Sequence, residues 1–347
     1  MNEVEYTGKS VFIGIDVHLR QYTVCCRSEG LVVKRASMAG YPGELLGFIG
    51  NHFKGATVKT AYEAGFSGFV LHRVLDGAEM ENKVVHAASI EVSRKKTKTD
   101  KRDAQKLAEQ LEAGRLQSID IPSEQEELSR LVTRTRDQLV RARTRVRNQI
   151  RMRLHYFGLL DPLERRPMSQ SLLQEVRAAG IPAELEEALS MQLEVWNTLN
   201  QQIGLCDKSI AKSVSEPLVQ LYLKVPGFGK LIATTMAREL GDMSQFSNEK
   251  RLFSFTGLTP SEYTTDDARH LGHITHQGRA HLRHLLVQAA WVAVKKDKTL
   301  NAAFIRIAAK AGKKKAIVAI ARRLVGRARA VVRKKEDYKP IEQKLAV

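Results

Sequence analysis

One uninterrupted helical pattern occupies the middle of the chain and limits how the rest can fold. It begins behind Pro122, where Ser123 and Glu126 form a capping box. Apolar residues then recur mostly four and seven residues apart, at Leu128, Val132, Leu139, Val146, Ile150 and Leu154. The sequence therefore predicts one long helix that separates an N-terminal part of the chain from a C-terminal part.

This helix is unusually basic. A second long helical pattern over 182–214 is acidic at first, and the two are expected to form either a helical hairpin or an intermolecular coiled coil. We assign 121–218 to a coiled-coil arm that dimerises and binds nucleic acid, with Arg134, Arg141 and Arg145 as candidate contacts. Arginines cover most of the first helix outside its apolar positions, at 130, 134, 136, 141, 143, 145, 147, 151 and 153.

The net charge points to a polyanionic partner. The 347 residues include 56 Lys and Arg against 38 Asp and Glu, a formal charge of +18. Nucleic acid is the leading partner, because each neutralised phosphate releases counterions; an anionic membrane surface competes with it. No apolar run approaches the roughly 20 residues of a membrane span, and the first residues lack a secretion signal. We expect a soluble, cytoplasmic protein without a membrane partner.

Residues 1–120 have the pattern of an α/β domain. Three short strands, Val11 to Ile15, Tyr22 to Cys26 and Leu31 to Val33, precede a helix, a strand at Thr57 to Tyr62, another helix and a strand near Lys83. A meander followed by strand–helix alternation predicts a mixed sheet. The adjacent Cys25 and Cys26 would point to opposite faces of a strand, so no disulfide and no zinc site are expected.

Four acids of this domain can converge. Asp16 and Glu63 each end an apolar strand, whereas Asp100 and Asp103 are three residues apart and share one helix face. Carboxylates suit Mg²⁺, and two ions about 4 Å apart would activate an attacking oxygen and stabilise a leaving one. The alternative is that Asp16 is a turn residue and Asp100 a helix cap.

A basic run surrounds the second pair of acids. A metal ion bound by the acids, with phosphate bound by the lysines and arginines, explains why acidic and basic residues occur together here. A basic face that only contacts solvent explains the basic residues alone. The candidate phosphate contacts in this run are Lys95, Lys96, Lys98 and Arg102.

Residues 219–347 are expected to form a mainly α domain. The segment 224–229, Lys-Val-Pro-Gly-Phe-Gly, is typical of a helix-hairpin-helix element in which Gly227, Gly229 and Lys230 approach a phosphate; an ordinary helix–helix turn is the alternative. Histidines between 270 and 284 alternate with Arg279 and Arg283, which favours phosphate contacts over zinc. The basic helical pattern from 312 to 329 suits nucleic acid and solvent equally.

The order of these motifs resembles the RuvC-like, RNase H-type fold of the DEDD transposases in the IS-one-ten (IS110) insertion-sequence family. The resemblance covers both ends of the chain, with a helical insertion between them. It implies a Mg²⁺-binding tetrad of Asp16, Glu63, Asp100 and Asp103. The matching blocks are Gly14-Ile15-Asp16, Tyr62-Glu63-Ala64, Lys98-Thr99-Asp100-x-x-Asp103-Ala104, Gly257-Leu258-Thr259-Pro260 and Gly272-His273-Ile274-Thr275.

The resemblance also implies a serine nucleophile in the loop after the Gly-Leu-x-Pro motif. The register from Tyr263 places Thr265 there, which departs from the family, and Ser261 is the alternative if the loop is shifted. Further implications are donor and target DNA duplexes, a homodimer that assembles to a tetramer, a guide RNA called the bridge RNA, and a bacterial protein that is nucleoid-associated when active.

Two other functions stay open at this stage. A RuvC-like Holliday-junction-resolving nuclease would use the four acids without a loop hydroxyl. A non-catalytic accessory protein that binds nucleic acid would need neither the acids nor the hydroxyl.

Overall fold

The chain divides into two compact units, 1–122 and 123–347. The computed structural model describes residues 6–87, 90, 99–265, 268–275 and 277–340, with 263–265 and 268–271 described as backbone. The predicted arm, 121–218, and the predicted C-terminal domain, 219–347, belong almost wholly to the second unit, so a boundary between them stays a prediction.

The N-terminal unit is built on a mixed five-stranded sheet, which confirms the predicted sheet and is consistent with an RNase H-like fold. The strands are β1 (Ser10–Val17), β2 (Gln21–Ser28), β3 (Leu31–Ala39), β4 (Thr57–Glu63) and β5 (Glu81–Val85). Their order in the sheet is β3-β2-β1-β4-β5, with β1–β2 and β2–β3 antiparallel and β1–β4 and β4–β5 parallel. The helices are α1 (Pro42–His52), α2 (Val70–Gly77) and α3 (Asp100–Glu112).

Alternation along the strands divides the core between the two faces of the sheet. Ile13 and Ile15 are fully buried in one cluster with Leu45 of α1 and Leu75 of α2. Residues 12, 14 and 16 of β1 belong to the opposite face, which α3 covers. Both cysteines of β2 are buried, Cys26 in the first cluster and Cys25 against α3, as expected for adjacent strand residues.

Gly14 sets the distance between α3 and the sheet. A Cβ atom on Gly14 would lie 2.1 Å from the carbonyl oxygen of Ala104 and 2.4 Å from the amide nitrogen of Ala108. Only glycine therefore allows α3 to lie against β1 at this point. Because Asp16 follows two residues later on the same face, the close contact brings the start of α3 next to the end of β1.

The C-terminal unit begins with a pair of long helices, α4 (Glu124–Tyr156) and α6 (Ala183–Lys212), joined through α5 (Gln170–Ala178). The predicted capping box starts α4: the amide of Glu126 donates to Ser123 Oγ at 3.2 Å, and the amide of Ser123 donates to the Glu126 carboxylate at 2.7 Å. The two long helices pack together within the chain, where Arg136 Nε donates to Asp207 Oδ1 at 2.5 Å. An intermolecular coiled coil stays a prediction.

The remaining elements, in order, are α7 (Pro217–Leu223), α8 (Lys230–Leu240), α9 (Glu249–Phe255), β6 (Pro260–Thr265), β7 (Ala268–Ile274), α10 (Ala280–Lys296), α11 (Lys298–Ala311) and α12 (Lys313–Lys334). They surround a core shared by α8, α10 and α12, with Met236, Leu286 and Leu324 fully buried. The antiparallel pair β6–β7 was missed by the sequence analysis, which placed a loop after the Gly-Leu-x-Pro motif; α5 was missed as well.

Among the described residues, no helix combines the length and apolar character that a bilayer crossing requires.

Replacing Gly14 tests the contact between β1 and α3. We expect Gly14→Ala to lower the free energy of unfolding of the N-terminal unit by about 3 kcal/mol, because the methyl group forces α3 away from the sheet. Urea unfolding followed by circular dichroism measures the change. Gly47→Ala is the matched control: its Cβ meets no atom within 4 Å, and an alanine inside α1 is neutral or stabilising. Equal unfolding midpoints for Gly14→Ala and the unmodified chain would contradict the contact.

Candidate active site

Acidic side chains from two elements meet at the end of β1. Asp16 is the penultimate residue of β1, and Asp100 and Asp103 lie in the first turn of α3. A carboxylate oxygen of Asp16, one of Asp100 and a ring nitrogen of His18 all lie within 4.8 Å of one another. The predicted convergence of β1 and α3 is therefore present in the structure for Asp16 and Asp100.

His18 is the site residue that the sequence analysis missed. Its Nε2 lies 3.4 Å from Asp16 Oδ2 and 3.5 Å from Asp100 Oδ1, and its side chain is 52% exposed. Strand alternation could have found it, because a residue two positions after Asp16 falls on the same side of an extended chain. The site thus offers one imidazole beside its carboxylates.

The electrostatics of the cluster favour a bound cation. Burial raises the pKa of Asp16 above its ordinary range, and the charges of Asp100 and Asp103 raise it further, although His18 acts in the opposite direction. Carboxylates that repel one another on a rigid scaffold are stabilised by a positive ion between them. Oxygen donors of this kind fit a hard divalent cation such as Mg²⁺.

Glu63 lies one strand away from this cluster. It ends β4, and the parallel register that pairs Ile15 with Tyr62 places it level with Asp16. Alternation puts it on the face covered by α3, because Ala61 packs there against Leu107. Its side chain is exposed, and the group of described atoms within ligand distance contains Asp16, His18 and Asp100 but not Glu63.

Asp103 faces a lysine of its own helix, with Lys106 Nζ 3.7 Å from Asp103 Oδ1. Arg102 is exposed in the same turn. The other predicted phosphate contacts of this segment, Lys95, Lys96 and Lys98, lie outside the described residues.

The two candidate nucleophiles lie at different places on β6. Ser261 is near the start of the strand, and its hydroxyl donates to the carbonyl oxygen of His273 at 2.9 Å, across the hairpin. Thr265 ends β6 at the turn, where its backbone pairs with Ala268; its side chain lies outside the described part. The hairpin therefore presents Thr265 at its turn, whereas the Ser261 hydroxyl bonds to backbone.

Two arginines shape the ends of the hairpin segment. Arg283 Nη1 donates to the carbonyl oxygens of Gly257 and Gln277, at 3.2 Å each. The guanidinium of Arg279 lies 5.6 Å from the ring centre of Phe255. Both were predicted to contact phosphate, and in this chain each makes an intramolecular contact.

The glycines between α7 and α8 have separate roles. Gly227 has φ 87°, and a Cβ there would lie 2.2 Å from the carbonyl oxygen of Ala289 on α10, so this glycine allows the turn to pack against α10. Gly229, the N-cap of α8, meets no such obstacle, and Lys230 is exposed. A phosphate site at the start of α8, and the helix-hairpin-helix assignment, stay predictions.

The three candidate arginines of the arm differ in their partners and in their exposure. Arg134 donates through Nε and Nη2 to Glu239 of α8, at 2.6 and 2.9 Å. Glu239 is only 4% exposed; burial acts to raise its pKa, but hydrogen bonds from Arg134 bring the pKa below its ordinary range. Arg134 thus stabilises a buried carboxylate. Arg141 pairs with Asp137 at 2.9 Å and is 64% exposed, and Arg145 is exposed as well.

Two family models match the chain. A DEDD transposase model of IS110 type matches residues 13–157, which include the four acids and all of α4. A model described as "Transposase IS116/IS110/IS902 family" matches residues 219–305, which include the β6–β7 hairpin.

Individual relatives agree with the models. The "Probable family 20 transposase" of Pseudomonas aeruginosa is 30% identical over 57% of this chain and 60% of its own length. The transposase for insertion sequence element IS1328 of Yersinia enterocolitica is 29% identical over 57% of this chain and 59% of its own length. The transposase for insertion sequence element IS1111A of Coxiella burnetii is 24% identical over 63% of this chain and 61% of its own length.

The chain thus spans less than two thirds of the length of each of these three relatives. The matches nevertheless involve both units and occur in the order that the motifs predicted. On this evidence the chain belongs to the IS110 family of insertion-sequence transposases.

Proposed function

We propose that this chain is a DNA transposase that cleaves and exchanges DNA strands through a metal-dependent acid site and a hydroxyl nucleophile. The observation that carries the proposal is the convergence of Asp16, His18 and Asp100 within 4.8 Å at the end of a central strand. Membership of the IS110 family supports DNA as the substrate, with a donor and a target duplex.

In this proposal four acids would hold two Mg²⁺ ions. Asp16 is the central ligand, since it extends from a strand whose neighbouring residue Ile15 is fully buried; Asp100 and Asp103 come from α3, and Glu63 from β4. Bound Mg²⁺ supplies Lewis-acid activation of the scissile phosphate and stabilises the departing 3′ oxygen. His18, within reach of both Asp16 and Asp100, orients these carboxylates and can hold a proton at Nε2.

We assign the nucleophile to Thr265, with Ser261 as the alternative. In the proposed step the hydroxyl oxygen bonds to phosphorus and gives its proton to solvent, while the bond from phosphorus to the 3′ oxygen breaks and the 3′ oxygen takes a proton from solvent. The position of Thr265 at the turn of the hairpin and the hydrogen bond of Ser261 to His273 support this assignment. A secondary alcohol is more crowded than a serine hydroxyl, so a slower covalent step is expected.

The acids and the hydroxyls belong to different units of the chain. The proposal therefore requires the two units to meet, within one chain or between the chains of a homodimer. Two such dimers, assembled to a tetramer, would hold both DNA duplexes while strands are exchanged.

We further propose that a structured RNA, the bridge RNA, selects the DNA sites. The net charge of +18 and the aromatic content of 6% support a protein that contacts nucleic-acid backbones and leaves base recognition to pairing.

The acid site is tested with Asp16→Asn. We expect transposition products to fall at least about 100-fold, because the central ligand loses its charge, while salt-dependent DNA binding persists. Sequencing of products formed in cells that carry the chain, its flanking non-coding DNA and a target plasmid measures the loss.

Asp76→Asn is the matched control for Asp16→Asn. It makes the same change of charge at an exposed residue of α2 and should leave product formation unchanged. With purified protein, chelation of divalent cations should abolish cleavage. Full product formation by Asp16→Asn would refute the proposed acid site.

The nucleophile is tested with a pair of hairpin variants. Thr265→Ala should abolish the protein–DNA linkage, Ser261→Ala should keep it, and Thr265→Ser should strengthen it, because the primary hydroxyl is less crowded. Denaturing gels of labelled DNA detect the linkage. Loss of the linkage in Ser261→Ala alone would move the assignment to Ser261, and cleavage by the double alanine variant would instead indicate a junction-resolving nuclease.

The guide is tested by purification. We expect the chain, expressed with the non-coding DNA that flanks its gene, to retain one RNA transcribed from that DNA after a high-salt wash. Sequencing of the bound RNA identifies it. Recovery of only bulk cellular RNA in proportion to its abundance would contradict a specific guide.

A further inference from the structure

The C-terminal unit contains a groove that the proposed recombination site does not use. It lies between α9, α11, α12 and the segment that follows α12, and its volume is about 830 Å³. The basic residues that line it are Arg322, Arg323, Arg327, Lys334 and Lys339. The acids that line it are Glu249, Glu336 and Asp337.

The acids of the groove have other partners. Glu336 pairs with Lys339 at 3.5 Å, and Asp337 pairs with Lys224, beyond the groove lining, at 2.6 Å. Glu249 lies in the first turn of α9, where the positive end of the helix stabilises a carboxylate. The arginines of the groove are therefore not neutralised by these three acids.

Arg327 is held by a buried network. Its Nη1 donates to Asp297 Oδ2 at 2.6 Å, and its Nη2 donates to Thr299 Oγ1 at 2.9 Å. Asp297, only 4% exposed, also accepts from the amides of Thr299 and Leu300 and from the Tyr338 hydroxyl. This network consumes the Asp297 carboxylate and fixes the Arg327 side chain as part of the groove wall.

Arg323 lacks such a network. Within the part of the chain that the structure describes, neither its guanidinium nor that of Arg306 has a hydrogen-bond acceptor or a carboxylate partner. Burial lowers the pKa of Arg323, and the positive charges of Arg306 and Arg327 lower it further. The fold thus holds three like charges together, an arrangement that an external anion would stabilise.

A fourth guanidinium is held by an aromatic ring. Arg322 lies over Phe253 at 4.4 Å from the ring centre, and both line the groove. A cation–π contact leaves the N–H groups at the edge of the guanidinium free to bind an anion.

We propose that this groove binds the phosphodiester backbone of a nucleic-acid strand through Arg322 and Arg323 of its lining, together with Arg306 of α11, which lies outside the lining but whose charge acts on Arg323. Guanidinium groups bind phosphate oxygens in a planar, bidentate geometry. The basic residues from Arg323 to Lys334 span about 16 Å along α12, at roughly 1.5 Å per residue, which suits a polymer better than a single anion. Arg322 and Arg323 are part of the basic helical pattern from 312 to 329, for which the sequence predicted contact with nucleic acid and exposure to solvent equally.

The salt dependence of binding tests this groove. We compare the unmodified full chain with an Arg306→Gln/Arg323→Gln variant, using a duplex DNA and a single-stranded RNA of the same length as probes. The slope of log affinity against log salt should become shallower by about 1.4 to 1.8, which is two lost phosphate contacts. Arg333→Gln, an exposed position at the end of α12 outside the groove, is the control and should change the slope less.

The two probes identify the strand. A change with DNA alone, with RNA alone or with both supports a phosphodiester site and names the polymer that occupies it. Slopes for both probes that match those of Arg333→Gln overturn the proposal.

A separate pair of variants excludes a merely structural role. Arg323→Gln should leave the melting temperature unchanged or raise it, since it removes one of three like charges, whereas Arg323→Lys should keep most of the slope because the charge remains. Lower melting temperatures and equally weakened binding in both variants would indicate packing and overturn the proposal. No strand cleavage is measured, so this proposal and that of the acid site can fail independently.

Discussion

The backbone contact between β1 and α3 determines where the acids of this protein meet. At Gly14 no side chain separates strand from helix, and the carbonyl of Ala104 occupies the space that a Cβ would take. Asp16 and Asp100 consequently approach each other from elements that are 84 residues apart in the chain. Burial raises the pKa of Asp16, and repulsion from Asp100 and Asp103 raises it further; the packed core of the sheet holds the strand in this unfavourable setting. The N-terminal unit thus uses the free energy of its hydrophobic core to maintain a cluster of negative charge.

The arginines of the C-terminal unit fall into two groups with different physical roles. Arg134, Arg283 and Arg327 donate to a buried carboxylate or to backbone carbonyls and hold elements together. Arg306 and Arg323 have no acceptor among the described residues and remain available to an anion from outside. The count of 56 Lys and Arg therefore overstates the basic side chains that are free for a partner, because some of them are bonded within the fold. The distribution of acceptors decides which arginines bind a ligand, and no count of charges shows it.

Much of the N-terminal fold follows from local rules. Short apolar runs separated by turn residues predicted the strands of the meander, and the capping box at Ser123 predicted the start of α4. His18 was missed because the predicted site consisted of carboxylates alone, although its spacing of two residues from Asp16 indicated that both side chains lie on the same side of the strand. The β6–β7 hairpin was missed because β6 begins with a proline and is mostly polar, and Gly272 interrupts β7, so neither strand shows the apolar alternation on which a strand assignment depends. The structural role of Arg134 could not be predicted, since its partner Glu239 is 105 residues distant and nothing local marks that glutamate as buried.

The β6–β7 hairpin has a geometric consequence for how such proteins can diversify. A strand advances about 3.3 Å per residue, so Thr265 lies about 17 Å from Pro260. Pro260 is at the other end of the strand, near Gly257, whose carbonyl oxygen accepts a hydrogen bond from Arg283. The length of the hairpin therefore sets how far its turn extends from the helical core. Adding or removing two residues in each strand would change that reach by about 7 Å and keep every side chain on its face, whereas a change of one residue would reverse the faces. A change of hairpin length in steps of two would therefore adjust the reach of the turn while the helical core stays the same.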